Sequence, residues 1–333
     1  MERGTGKGRR AGACPRPPRA GRVVLWLAAA MLAMVTGTAL AQAGGDAGSA
    51  SKPQAHYSRQ GADTCLRCHD SDKVQSIFYT PHAEKADSRT PFAGLQCEAC
   101  HGPAGNHPKR VMPGEKRPLI FTFGRNSPFP VAKQNARCLA CHKDQMGSGW
   151  HGGMHSQAGV ACASCHTIHA RHDPVLSKAT QPQVCEKCHT NVRSQFQRAF
   201  THPVRFGELT CTDCHKPHQS KNPFLLAQPT LNQTCYSCHA DKRGPFLWEH
   251  PPASENCADC HNPHGSNHRF LLTKSTPLLC QDCHSAAGHP SVARTGMGLP
   301  GNSPSTFLLG QSCTNCHTKV HGSNNPSGAY LLR

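Results

Sequence analysis

Residues 235–264 read CYSCHADKRGPFLWEHPPASENCADCHNPH. Two copies of C-x-x-C-H, at Cys235–His239 and Cys257–His261, are each followed by a further histidine, His250 and His264. The pentapeptide recurs along the chain. With Cys14 set aside, all twenty cysteines fall into ten copies: Cys65/Cys68, Cys97/Cys100, Cys138/Cys141, Cys162/Cys165, Cys185/Cys188, Cys211/Cys214, Cys235/Cys238, Cys257/Cys260, Cys280/Cys283 and Cys313/Cys316. The histidines that close them are His69, His101, His142, His166, His189, His215, His239, His261, His284 and His317. This is the attachment motif of haem c. Two thiols at this spacing add to the two vinyl groups of one macrocycle, and the next residue offers an imidazole to the iron. Zinc sites and redox dithiols also use C-x-x-C, but neither they nor a disulfide framework requires a histidine after every second cysteine. The sequence therefore predicts ten haems c.

Iron takes a second axial ligand, and fourteen of the 24 histidines lie outside the motifs. After odd-numbered motifs a histidine follows at thirteen residues (His82, His155, His202), shortening to eleven at His250 and five at His289. After even-numbered motifs the gap is three (His169, His218, His264), four (His321) or six (His107). These ten are the expected distal ligands, and the chain reads as five two-haem units. His155 fits the register where His151 does not, and His56, His172 and His268 fall outside it. Met112, Met146, Met154 and Met297 are the alternative ligand type. A histidine three residues past the motif cannot pass round the porphyrin edge to the same iron, because so short a link spans only about 10 Å. It is expected to ligate a neighbouring haem, cross-tying each unit.

The first 41 residues read as a secretory signal: arginines Arg9 to Arg22, an apolar run VVLWLAAAMLAMV over Val23–Val35, and Ala39-Leu40-Ala41. The run is short for a span of about 20 residues, and an uncleaved anchor is the alternative. Residues 1–41 carry seven of the 36 basic residues and one of the 19 acids, leaving +11 from position 42. Haem propionates would outweigh that charge, so it argues for no nucleic-acid partner. Aromatic residues make up 6% of the chain, with 30 Gly and 27 Pro. Such a composition cannot support an ordinary apolar core. The porphyrins are expected to serve as core, with short helices and loops around a linear haem chain. A longer helix is expected between His189 and His202 and between His239 and His250. Five motifs lie on each side of about residue 200, predicting two pentahaem halves, 42–200 and 201–333.

Between the motifs, where haem attachment makes no demand, stand GLQCEACHGPAGNHPK around His101, ACASCHTIHA around His166, DPVLSK after it, TCYSCHADKRGPFLWEH at 234–250, ENCADCHNPHGSNH and HGSNNPSG. In these segments the chain resembles the MtrA, DmsE and PioA group of decahaem cytochromes. The resemblance implies a periplasmic electron-transfer wire held inside an outer-membrane β-barrel. It also implies partners on both sides: periplasmic or inner-membrane cytochromes, and an extracellular multihaem cytochrome, in extracellular metal respiration or oxidation. A soluble periplasmic carrier is the alternative. An enzyme would need an open iron position, shown by a variant motif or a shortage of distal histidines, and the sequence has neither.

Overall fold

Every attachment motif closes a helical turn, and the hydrogen bonding shows why. The backbone N–H of His69, His166, His189, His215, His239, His261, His284 and His317 donates to the carbonyl of the first cysteine of its motif, at 2.9–3.1 Å. The motifs at Cys97 and Cys138 lie within the helices Cys97–His101 and Val131–Met146. One such turn sets residues three apart on the same face, which is what two thiols need to reach one edge of one macrocycle.

The computed structural model describes residues 56–146, 149–218, 221–276, 278–284, 313–326 and 328–332. The signal segment, the start of the mature chain, His289 and Met297 lie outside the described residues. Among those described, no extended strand forms, and four isolated antiparallel bridges stand in its place. Helices are short apart from the 16-residue Val131–Met146, where His142 departs from helical geometry (φ −89°, ψ 16°). The longer helices expected after His189 and His239 are not there. The first is the six-residue Thr190–Gln195, and the second is the single turn Ala240–Lys242. Pro245, which lacks a donor, and Gly244 at φ +76° end the second.

One small apolar cluster, Ala62, Ile77 and Phe92, is backed by Leu66, Phe78 and Ala83. Elsewhere buried side chains are as often polar as apolar, and no large one is fully buried among the described residues. Three of the polar ones, Asn135, Gln181 and Asn232, act as staples between the two motifs of a unit. Asn135 accepts from the Cys162 N–H at 2.8 Å and donates to the Val160 carbonyl at 3.0 Å. Asn232 accepts from the Cys257 N–H at 2.8 Å, and Gln181 from the Thr212 N–H at 3.2 Å. In the first unit Gln96 accepts from the Ala62 N–H at 2.6 Å. A buried amide left without its partner costs about 1–3 kcal/mol, so each staple fixes how two motifs pack.

The repeat is visible in the backbone. His215 bridges to Leu226 and His261 to Leu272, while Phe200 bridges to Ser266 and Trp248 to Ser323. Phe224, Leu225, Phe270 and Leu271 all take positive φ, between 54° and 61°, a strained region for bulky residues. Gly265 (φ +156°) and Gly322 (φ +129°) each follow an off-motif histidine. A Cβ at Gly265 would strike the Gln195 carbonyl, and one at Gly322 the Phe246 ring. Only glycine allows the buried serine that follows to reach its bridge.

Candidate functional site

Neighbouring motifs touch through their sulfurs. Within units the first cysteines are in hydrogen-bonding contact: Cys65 with Cys97, Cys138 with Cys162, Cys185 with Cys211, Cys235 with Cys257, and Cys280 with Cys313. Burial, then the neighbouring thiol, pushes Cys65 up to about 11 and Cys235 up to about 12. Between units the second cysteine of each even-numbered motif feels the next motif: Cys100 with Cys141, Cys165 with Cys185, Cys214 with Cys238, and Cys260 with Cys283. These are thiols of the haem-free chain, and in a c-type cytochrome the same atoms are thioether sulfurs. Hydrogen-bonding contact within units and electrostatic influence between them follow the sequence order of the motifs from the first to the tenth. No disulfide joins any of them among the described residues.

The two cysteines of a motif differ in their surroundings, which the identical spacing of all ten copies does not reveal. The first is half-buried in every motif. The second lies on no protein core in most of them: Cys68, Cys188 and Cys316 are exposed, as are Cys141, Cys165, Cys214, Cys238 and Cys283. The N–H groups of Cys68, Cys188 and Cys316 donate to the carbonyls of Cys65, Cys185 and Cys313 at 3.2, 3.2 and 3.3 Å. That bond holds the backbone in the turn, and the partner motif lies against the first cysteine. A thiol that must meet a vinyl group has to be reachable, and an exposed second sulfur suits that reaction.

Nine motif histidines each face one off-motif histidine, with ring centres 5.8–6.3 Å apart. A metal bound by two imidazoles at about 2 Å each, with roughly 1.1 Å from nitrogen to ring centre, requires about 6.2 Å. The spacing fits bis-histidine iron, whereas rings in direct stacking contact would come closer. The pairing follows a rule. Off-motif histidines after odd motifs reach forward to the next odd motif: His82 to His142, His155 to His189, His202 to His239, His250 to His284. Those after even motifs reach back: His169 to His101, His218 to His166, His264 to His215, His321 to His261. The first unit closes on itself, His107 facing His69.

Among the described residues, the expected cross-tie within a unit holds only for His107. Elsewhere the ties join successive units. Cysteine contacts and amide staples already hold a unit together, and the off-motif arms extend beyond it.

Second-sphere bonds orient the rings. His155, His202 and His250 donate from Nδ1 to the carbonyls of Pro217, Pro263 and Val320, at 3.3, 2.6 and 2.9 Å. Those residues immediately precede His218, His264 and His321, so the partner ring of one motif is tied to that of the next. His107 donates to the Pro118 carbonyl at 2.7 Å. A proton fixed on Nδ1 leaves the Nε2 lone pair for a metal. Burial, helped by the facing motif imidazole, holds His82, His169, His218, His264 and His321 below the usual histidine value. They are thus neutral, the ligating form.

The similarity of this chain to known proteins agrees with that geometry. A doubled CXXCH motif model matches residues 202–244 and 250–289, and a model of NrfB-like c-type cytochromes matches 97–181. Over 283 residues, 84% of each chain, it is 50% identical to the multiheme cytochrome MtrA of Shewanella baltica. The chain belongs to the MtrA family of multihaem cytochromes. It is 30% identical to the cytochrome c-type protein NrfB of Haemophilus influenzae over 161 residues, 41% of this chain and 69% of that one. A 26% likeness to the dissimilatory sulfite reductase MccA of Wolinella succinogenes covers 53% of this chain and 27% of that protein. This MtrA-type chain is accordingly a multihaem c-type cytochrome that binds haem c and transfers electrons.

The off-register histidines stand apart. His56, His151 and His172 are exposed and His268 is half-buried. None of the four faces another imidazole among the described residues. Met112 and Met154 are 62% and 59% exposed. Sequence reasoning missed the amide staples, although an Asn or Gln three or four residues before the cysteines at 138, 185 and 235 was a readable signal. It also missed the acceptors behind the motif histidines: Phe121, Phe224, Phe270 and Tyr330 carbonyls for His101, His215, His261 and His317, at 2.6–2.8 Å. The repeated Phe-Leu-Leu at 224–226 and 270–272 marks two of them.

Proposed function

We propose that this chain carries ten haems c, each between its motif histidine and one off-motif histidine, and conducts electrons along them across the outer membrane inside a β-barrel partner. The nine imidazole pairs at iron-spanning distance, laid in register along the sequence, carry this reading. One motif histidine and one off-motif histidine remain. His317 and His289 are the motif and off-motif histidines left over by the nine pairs, and they form the tenth.

Haem iron supplies reversible one-electron exchange. The chain's part is to hold two neutral imidazoles on every iron, which leaves no coordination position for a substrate and favours transfer over catalysis. Abutting cysteines bring consecutive attachment sites together. Staples and carbonyl bonds hold the rings still, so ligation changes little between oxidation states. The row divides near residue 200 into two five-haem halves.

No described helix is long and apolar enough to cross a membrane. Short turns joined by irregular backbone cannot meet lipid, because their polar groups would go unsatisfied. A row that crosses must be sheathed by another protein, and a closed β-barrel meets that need. On this reading the donors are periplasmic or inner-membrane cytochromes, and an extracellular multihaem cytochrome or acceptor lies beyond the barrel. Flow in the opposite sense would use the same parts.

Liposomes enclosing a reducible dye test the conduit. Cytochrome and barrel together should pass electrons from an impermeant external reductant to the dye, and neither should do so alone. Equal dye reduction with and without the barrel would contradict the conduit and favour a soluble carrier.

A further inference from the structure

The motif histidines of the five even-numbered haems all donate from Nδ1, but not to the same kind of acceptor. His101, His215, His261 and His317 donate to neutral backbone carbonyls. His166 donates to a carboxylate, Asp173 Oδ2, at 2.7 Å. The Asp173 side chain is 13% exposed, so solvent screens its charge little. Its other oxygen accepts from the Thr167 N–H at 3.1 Å and the Val175 N–H at 3.4 Å.

The surrounding loop is built to keep it there. Between His166 and Asp173 the chain sends His169 out to face His101 and lays Arg171 over the Tyr79 ring, 3.8 Å from its centre. Beyond Asp173, Gln181 donates to the Val175 carbonyl at 3.1 Å and Thr180 to the Pro174 carbonyl at 2.7 Å. Gln181 also staples the fifth motif to the sixth, so the loop is fixed at both ends.

We propose that Asp173 is a positioning residue that sets the fourth haem at a lower reduction potential than haems two, six, eight and ten. A charged acceptor makes a stronger hydrogen bond than a carbonyl. It draws the Nδ1 proton towards itself and makes Nε2 the stronger donor to iron. A more basic ligand beside a buried negative charge stabilises the ferric state, and second-sphere hydrogen bonding is one of the levers that set haem potential. The fourth site is then an uphill step built into the first half of the row. This inference rests on the ligand assignment above, with His166 and His218 on the fourth iron.

The test is a potentiometric titration of the ten-haem protein, following each haem by its low-spin electron paramagnetic resonance and paramagnetic NMR signals. Asp173→Asn keeps an acceptor but removes the charge. It should raise one haem by at least the equivalent of a tenfold change in its one-electron equilibrium, about 59 mV, and leave the other nine in place. Asp173→Glu should hold that haem low. Unchanged potentials in an Asn variant that retains ten haems would overturn the proposal, as would equal shifts in both variants. The unaltered protein gives an independent reading: any of the other four even-numbered haems found lower than the fourth also overturns it. His218→Ala reports the ligand assignment separately, through one high-spin haem, so the two failures are distinguishable.

Discussion

Replacing Cys211 and Cys214 together with alanine should leave the chain after about residue 200 protease-sensitive and without a cooperative thermal transition, while the first half stays haem-loaded. The change removes the sixth covalent attachment. It also removes the Cys185–Cys211 contact that joins the fifth site to the sixth, and it loosens the pairing of His215 with His264. Little else could hold this part. Its buried apolar side chains among the described residues are Val204, Leu226 and Leu331, beside the polar Thr210, Asn232, Thr234, Ser266 and Ser323. Three such side chains cannot offset backbone ordering at about 1–2 kcal/mol per residue. Limited proteolysis with mass analysis of the surviving fragments checks this. A second half that resists protease and melts cooperatively without the sixth haem would show a protein core sufficient by itself.

The second large effect is expected at His218. His218→Ala should convert one haem of the set from low-spin to high-spin and slow transfer through the barrel-sheathed row at least tenfold, about 1.4 kcal/mol of barrier. His218 faces His166 with ring centres 5.8 Å apart, and removing it leaves His166 alone on that iron. A singly ligated iron rearranges on reduction where a doubly ligated one does not, and in a row of sites in series the slowest step limits the whole. His172→Ala is the control, since His172 is exposed and no imidazole faces it among the described residues. Its rate and spectrum should be unchanged. Equal damage from the two variants would mean that the ligand register is wrong.

What could be read from the sequence follows from what covalent chemistry dictates. Two thioethers and a ligand on one porphyrin fix C-x-x-C-H, so the attachment cysteines and motif histidines stand out without any fold in view. Their unequal burial does not, because Cys65 and Cys68 look alike until the partner motif is seen to cover the first and leave the second exposed. The off-motif set was legible because a two-unit repeat forces a recurring spacing. Nine of those ten histidines stand opposite motif histidines, and His289 lies outside the described residues. Their partners were not legible. A gap of thirteen residues says how far His82 can travel but not that it crosses into the next unit to meet His142. The same gaps raised an expectation of helix after His189 and His239, where Phe196–Arg198 turns the chain and Gly244-Pro245 stops it. Asp173 sat in a segment, DPVLSK, whose resemblance was plain and whose role was not. Only the folded loop shows its carboxylate behind His166, where four other motif histidines have a carbonyl.

The central claim is a row of ten haems, each held between two imidazoles. It is tested most directly on the mature holoprotein by intact mass together with electron paramagnetic resonance of the fully oxidised state. The account predicts a chain mass increased by ten haems and a spectrum that integrates to low-spin iron throughout, with no high-spin component. A mass short of ten haems, or a high-spin signal amounting to one haem or more in the unaltered protein, would contradict it.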